Sequence, residues 1–303
     1  MKNRHIYCLL FLVFSTYGFS QSKFNDFLKP SDTLNTSRKK AVIISETSLA
    51  GLSLIGLNQL WYKDYEKSNF HTLDDTNEWL QMDKLGHAFS SYQLTKLGSE
   101  TLQWSGVDDK KSLLYGAALS MSYLTTIEIF DGFSKEWGFS WSDIAANTLG
   151  TGLYVGQELL WDEQRLLMKY SFHQTKYANQ RPDKLGENLL EQMLKDYNGQ
   201  TYWLSANMRS FLKTNKIPKW LNLAIGYGAH GMLTGDNEPN SIDFPNQNRQ
   251  RQFYLSLDID LTKIKTQSHT LKTLFSLLNT IKIPMPTIEF NNKKKAVFHL
   301  LYF

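Results

Sequence analysis

Cysteine is nearly absent from this chain of 303 residues: the single one, Cys8, falls inside an apolar stretch at the N-terminus. Met1 to Gln21 has the pattern of an export leader, with Lys2, Arg4 and His5 opening it, Ile6 to Phe14 as the apolar run and Gly18-Phe19-Ser20 as the cleavage region. Cleavage near Gln21 would leave no thiol, which excludes disulfides, thiolate metal sites and cysteine nucleophiles from the mature protein. The small residues that precede a lipidated cysteine are missing before Cys8, so no lipid anchor is expected there.

Charge of one sign is also scarce. The formal net charge is +4, and the lysines are scattered apart from Lys39-Lys40 and Lys293-Lys294-Lys295, a distribution that speaks against a nucleic-acid partner. Long apolar runs are missing too: beyond the N-terminal leader, Thr47 to Tyr62 and Ser112 to Ile127 are the longest uncharged stretches. Both stop short of the roughly 18–20 apolar residues of a free-standing membrane span, so they read as borderline spans or as buried core helices. No Ser-His-Asp order, phosphate-cradling glycine loop or HExxH motif occurs, which leaves those mechanisms without support.

What the chain has is a hydrophobic share of 42%, enough for a real core, and an aromatic share of 14% in keeping with envelope proteins. The expected architecture is α+β. A signal peptide over 1–20 and a tether over 21–40 precede a helical domain over 41–170, with helices near 41–62, 84–104, 112–131 and 142–169. Small residues, notably Gly152 and Gly156 with Gly86, Gly98, Gly116 and Gly150, favour a tight four-helix bundle. A charged connector over 171–199 leads to an antiparallel β region over 200–303, where the apolar period becomes two. Leu221, Leu223, Ile225 and Tyr227 alternate with small residues, and Phe253, Leu255, Leu257 and Ile259 with Ser256, Asp258 and Asp260. Such a face suits lipid or core on one side and water on the other. With Tyr202–Leu212 and Ala296–Phe303, four or five strands are expected, as a sheet or a partial barrel; a closed membrane barrel needs about eight.

Candidate chemistry concentrates in the helices. Spacing of i, i+4 pairs Asp83 with His87 and Asp143 with Asn147, and i, i+3 pairs Glu128 with Asp131; Lys84 lies beside the first pair. Convergence of these seven residues would make either a polar network that fixes helix register or a site. Asp83, His87, Glu128, Asp131 and Asp143 are of the types that hold a divalent metal ion, with Asn147 orienting a ligand. Ser142 is placed to cap the helix of Asp143. Glu46, alone in the first apolar helix, either turns toward the cluster or marks a helix not fully exposed to lipid.

The pattern Asp83-Lys84-x-x-His87, Glu128-x-x-Asp131, Asp143-x-x-x-Asn147-x-x-Gly150 resembles the VanZ-like proteins over roughly residues 80–156. It departs from them at Asp131, where glutamine is usual, and near Trp137, where an arginine is usual and Lys135 is the available substitute. The segment Lys195 to Ser205, with Gly226-Tyr227-Gly228, resembles the YfiM-like predicted periplasmic lipoprotein family, a domain of unknown function. That resemblance implies an envelope location, in the periplasm or at the outer membrane, and no reaction. The readings left open are a structural network, a lipid-headgroup or glycan site, and a metal-assisted hydrolase or transferase acting on a lipid-linked phosphate.

Overall fold

The computed structural model describes residues 23–63, 65–235, 248–292 and 296–303. The leader with Cys8 and the Lys293–Lys295 run lie outside them. Four long helices come first: α1 Thr36–Leu57, α2 Met82–Trp104, α3 Asp109–Gly132 and α4 Trp141–Trp161. Side chains of Asn35, Asp108 and Ser140 accept from the third residue of α1, α3 and α4 respectively, satisfying N–H groups that a helix start leaves open. Ser140, not Ser142, is therefore the cap of α4. The Ser142 hydroxyl instead donates to Asp75 at 2.9 Å.

The tight unit is α2–α4, not four helices. Gly98 meets the Gly116 backbone, and Gly116 and Gly150 lie so close to the backbones at Thr95 and Ala88 that no Cβ fits. Buried hydroxyls fill this crossing: Ser120 donates to the Ser91 carbonyl at 2.9 Å and Thr95 to the same oxygen at 2.8 Å. Gly152 and Gly156, the expected close-approach pair, face open space. Helix α1 stands apart, with Val42 its one buried residue, and Glu46 accepts from Thr101 near the far end of α2 rather than turning to the cluster. Nor is the tether free. Residues 23–28 form a short helix, Trp104 Nε1 donates to the Phe27 carbonyl, and Asn25 accepts from Ser268 and Thr270.

Among the described residues the sheet has six strands in sequential antiparallel order: β1 Leu166–Phe172, β2 Gln200–Asn207, β3 Leu221–His230, β4 Gln250–Ile259, β5 Met285–Asn291 and β6 Val297–Tyr302. It begins at Leu166, inside the stretch expected to be helical. Asp162 takes a left-handed conformation that ends α4, and the Gln157 side chain accepts the N–H groups of Arg165 and Leu166, turning the chain toward β2. Pairing with β2 thus overrides the helix propensity of Leu166-Leu167-Met168-Lys169. Strand β5 was also missed: it is short, carries Pro286, and shows its alternation only over Thr287–Phe290.

Residues leading into β5 bridge to the free edge of β1, Tyr170 with Ile281, so the sheet curls back on itself. Helix α2 covers its β1–β2 corner, where Phe89 stacks near Tyr170 and Tyr202 with ring centroids 5.7 Å from each, so helices and strands share one core.

Candidate functional site

Helix α2 carries Asp83, Lys84 and His87 in its first two turns, and its entry is held unusually. Trp79, Leu80 and Gln81 all have positive φ, a conformation costing roughly 1–3 kcal/mol per residue for side chains of this kind. Tyr227 Oη and Arg251 on the sheet both donate to the Leu80 carbonyl, and the Trp79 N–H donates to Gly235, which fastens this turn to β3 and β4. The C-terminal turns of α3 bring Glu128 and Asp131 to the same place, and the first turns of α4 bring Asp143 and Asn147.

Lys84 is the electrostatic hub. Its Nζ lies 2.7 Å from Asp75, 2.9 Å from Asp83 and 2.7 Å from Asp143. His87 sits beside it: Nδ1 donates to Asn147 Oδ1 at 3.2 Å and lies 3.7 Å from Glu128 Oε1, while Nε2 lies 3.8 Å from both Asp83 and Asp143. Glu128 Oε2 accepts the Ser140 N–H at 3.3 Å, and Tyr197 Oη donates to Asp83 at 2.6 Å. Asp131 stands farther out and accepts from Tyr62 at 2.6 Å. All seven candidates therefore converge, with Asp131 at the periphery.

The charges set one another. Burial alone would raise the Asp83 pKa, but His87 and Lys84 outweigh it and hold the group near 2. Burial likewise disfavours the His87 cation, yet Asp83, Asp143 and Glu128 raise its pKa overall. Burial, with Asp83 as a like-charged neighbour, pushes Asp143 up to about 7. The geometry thus places side by side an imidazole whose cation is favoured by its acidic neighbours and a carboxyl whose anion is disfavoured by burial.

Above the cluster opens a cavity of about 730 Å³, within the size range of small-molecule sites. Asp83, His87, Asp131 and Asp143 form one part of its wall, and Arg181 and Lys184 line it as well. Beneath it, Glu128 Oε1 and Asn147 Nδ2 are buried without a hydrogen-bond partner. Ligand atoms of Asp83, His87 and Asp143 lie within 4.8 Å of one another, a donor set fit for a divalent ion. Lys84, already in contact with two of the three residues, supplies positive charge at that position.

Several members had escaped sequence reasoning. Asp75, Tyr62 and Tyr197 complete the shell, and no helical spacing ties them to it; Tyr197 lies within the segment whose family likeness was its only signal. Arg181 and Lys184, from the connector, border the cavity as well, Arg181 lying 3.6 Å from Asp183 and Lys184 pairing with Glu136. Lys135 instead pairs with Glu66 at the surface, 2.6 Å away. His230 accepts no role here and meets Tyr177 Oη at 2.9 Å.

Residues 72–157 match the model of a family described as predicted periplasmic lipoprotein (DUF2279). The matched span runs from just before Asp75 to the last turns of α4 and contains the whole helical part of the cluster. Its periplasmic description agrees with export to the cell envelope, the location that the N-terminus predicts. No curated protein and no solved structure matches the chain.

Proposed function

We propose that this exported envelope protein binds a polar ligand, a lipid headgroup or a glycan unit, in the cavity over His87. The observation that carries the reading is that the cluster opens on a cavity instead of closing on itself: four of its seven members line about 730 Å³ of space that cations also border. A network serving only to fix helix register would pair its buried atoms, whereas Glu128 Oε1 and Asn147 Nδ2 are left over. Carboxylates on one wall suit an ammonium or sugar hydroxyls, and Arg181 and Lys184 suit a phosphate. A VanZ-like character of α2–α4 belongs to the same proposal, supported by the spacing of Asp83, His87, Asp143 and Asn147.

The test is native mass spectrometry of protein purified from envelopes, followed by calorimetric titration with phosphoethanolamine and with N-acetylglucosamine. A copurified mass, or binding of either probe, weakened at least tenfold in His87→Gln and Asp131→Asn is expected. An empty wild type that takes up neither probe would refute it. A second reading, a metal-assisted hydrolase or transferase on a lipid-linked phosphate, draws on the proximity of Asp83, His87 and Asp143. Elemental analysis of the same sample separates the two: a divalent ion retained by wild type and lost in Asp143→Asn favours the metal.

A further inference from the structure

The β region buries charged and polar side chains beside the aromatic cluster of Trp203, Tyr254 and Tyr302, and leaves large apolar ones outside. Inside the curled sheet, Lys169, Asp258 and Lys282 are fully buried, with Lys169 Nζ 2.8 Å from Asp258 and Lys282 Nζ 3.9 Å from it. Ser205 donates to the same carboxylate at 2.6 Å, Asn222 donates to Ser205 at 3.0 Å, and Thr287 donates to Ser256 at 2.8 Å. The outer face is apolar and bare. Ile225 is 57% exposed, Phe253 51%, Phe298 66% and Leu300 73%. In water this partition would be costly on both sides, because apolar area is left wet while charges are desolvated.

We infer that the outer face of β3–β6, together with helix α1, lies against the acyl chains of a lipid bilayer, with the polar interior of the sheet shielded from them. Element lengths agree. Strands β3 and β4 have ten residues each, the length of about 9–11 at which a tilted strand crosses the hydrocarbon. Helix α1 has 22 residues, and at about 1.5 Å per residue that spans the roughly 30 Å core. Its Ile44, Leu49, Leu52 and Ile55 are each more than 60% exposed. Both α1 and α3 are long and apolar enough to cross a membrane.

Every neighbouring pair from β1 to β6 is joined by an antiparallel ladder, and at the outer edge of β1 the Tyr170 N–H donates to Thr280 and its carbonyl accepts the Lys282 N–H. The six strands among the described residues fall short of the eight of the smallest single-chain membrane barrels, and α2 packs over the face of β1 and β2. The export leader delivers the chain to the compartment where such a surface meets a membrane. This inference stands apart from the cavity reading: of α1 and β3–β6 only Leu57, at the end of α1, borders the cavity, and none of the exposed apolar side chains named above does.

The test uses full-length protein with Cys8→Ser, so that an introduced cysteine is the sole thiol. Nitroxide labels go on Ile225→Cys, Leu255→Cys and Ile288→Cys, with Lys219→Cys as the loop control, in vesicles of phosphatidylethanolamine and phosphatidylglycerol. The expected result is flotation with the vesicles and, at the three strand sites, severalfold greater relaxation by oxygen than by a water-soluble nickel chelate, reversed at Lys219. Chelate access at the strand sites equal to that at Lys219 would overturn the inference, as would failure to float. Exclusion of both reagents with spin coupling between molecules would overturn it in favour of a second copy of the chain.

Discussion

Replacing Lys84 with methionine keeps the unbranched stem of the side chain out to Cε and removes the ammonium shared by Asp75, Asp83 and Asp143. The Lys84 side chain is 12% exposed and those of the three acids 16%, 22% and 5%, so water screens the lost attraction poorly. Removing one partner of a buried ion pair costs about 3–5 kcal/mol, because the charge left behind has already been desolvated. Asp143 limits the loss, since with its pKa raised to about 7 it can take up a proton in answer. Asp83 cannot do so readily, and its carboxylate would remain dependent on His87 and Tyr197. At pH 7.5 we therefore expect Lys84→Met to lose about 3–5 kcal/mol, a fall in melting temperature of roughly 6–20 °C at about 2–4 °C per kcal/mol. Thermal melts followed by circular dichroism in detergent measure it. Lys84→Met with Asp143→Asn should recover part of the loss, as the second change removes a stranded charge. A single variant within about 1 kcal/mol of wild type would refute the picture of Lys84 as the hub.

Stability should depend on pH in a definite sense. His87 and Asp143 both have folded pKa values above their ordinary ones, so their contributions are complete below the ordinary values of 6.5 and 3.8 and are lost as pH rises through the folded values, about 7 for Asp143. Asp83 is lowered to about 2, so its contribution is present above 3.8 and disappears as pH falls toward 2. Melting temperature should accordingly fall between about pH 5 and 8 and also on strong acidification, and a rise over the first interval would contradict the assignment. Gly150→Ala should destabilise by about 1–3 kcal/mol or more, because its Cβ would collide with the Ala88 carbonyl. Gly152→Ala, facing open space, should be neutral or stabilising by up to about 1 kcal/mol; equal melting of the two variants would show that the α2–α4 crossing is not close-packed.

Spacing alone determined a good deal. Three pairs at helical intervals identified the inward faces of α2, α3 and α4, since a helix repeats every 3.6 residues and its partners need not be known to see which side is polar. Alternation likewise located β3 and β4 and split their residues into two sets. It could not say which set faces inward, because a period of two is the same whether the core is apolar or polar. Only the curling of the sheet, set by the order of six strands and the bridge from Tyr170 to Ile281, turned Asp258 in and Ile225 out. The strand at Leu166–Phe172 was illegible for a related reason: its residues are good helix formers, and pairing with β2 decided the matter. Asp75, Tyr62, Tyr197, Arg181 and Lys184 joined the site from loops and from the connector, where no periodicity constrains position. Local sequence fixes which face an element shows, because that is a property of a few consecutive residues; what each face meets depends on chain segments a hundred residues away, and that was left to tertiary structure.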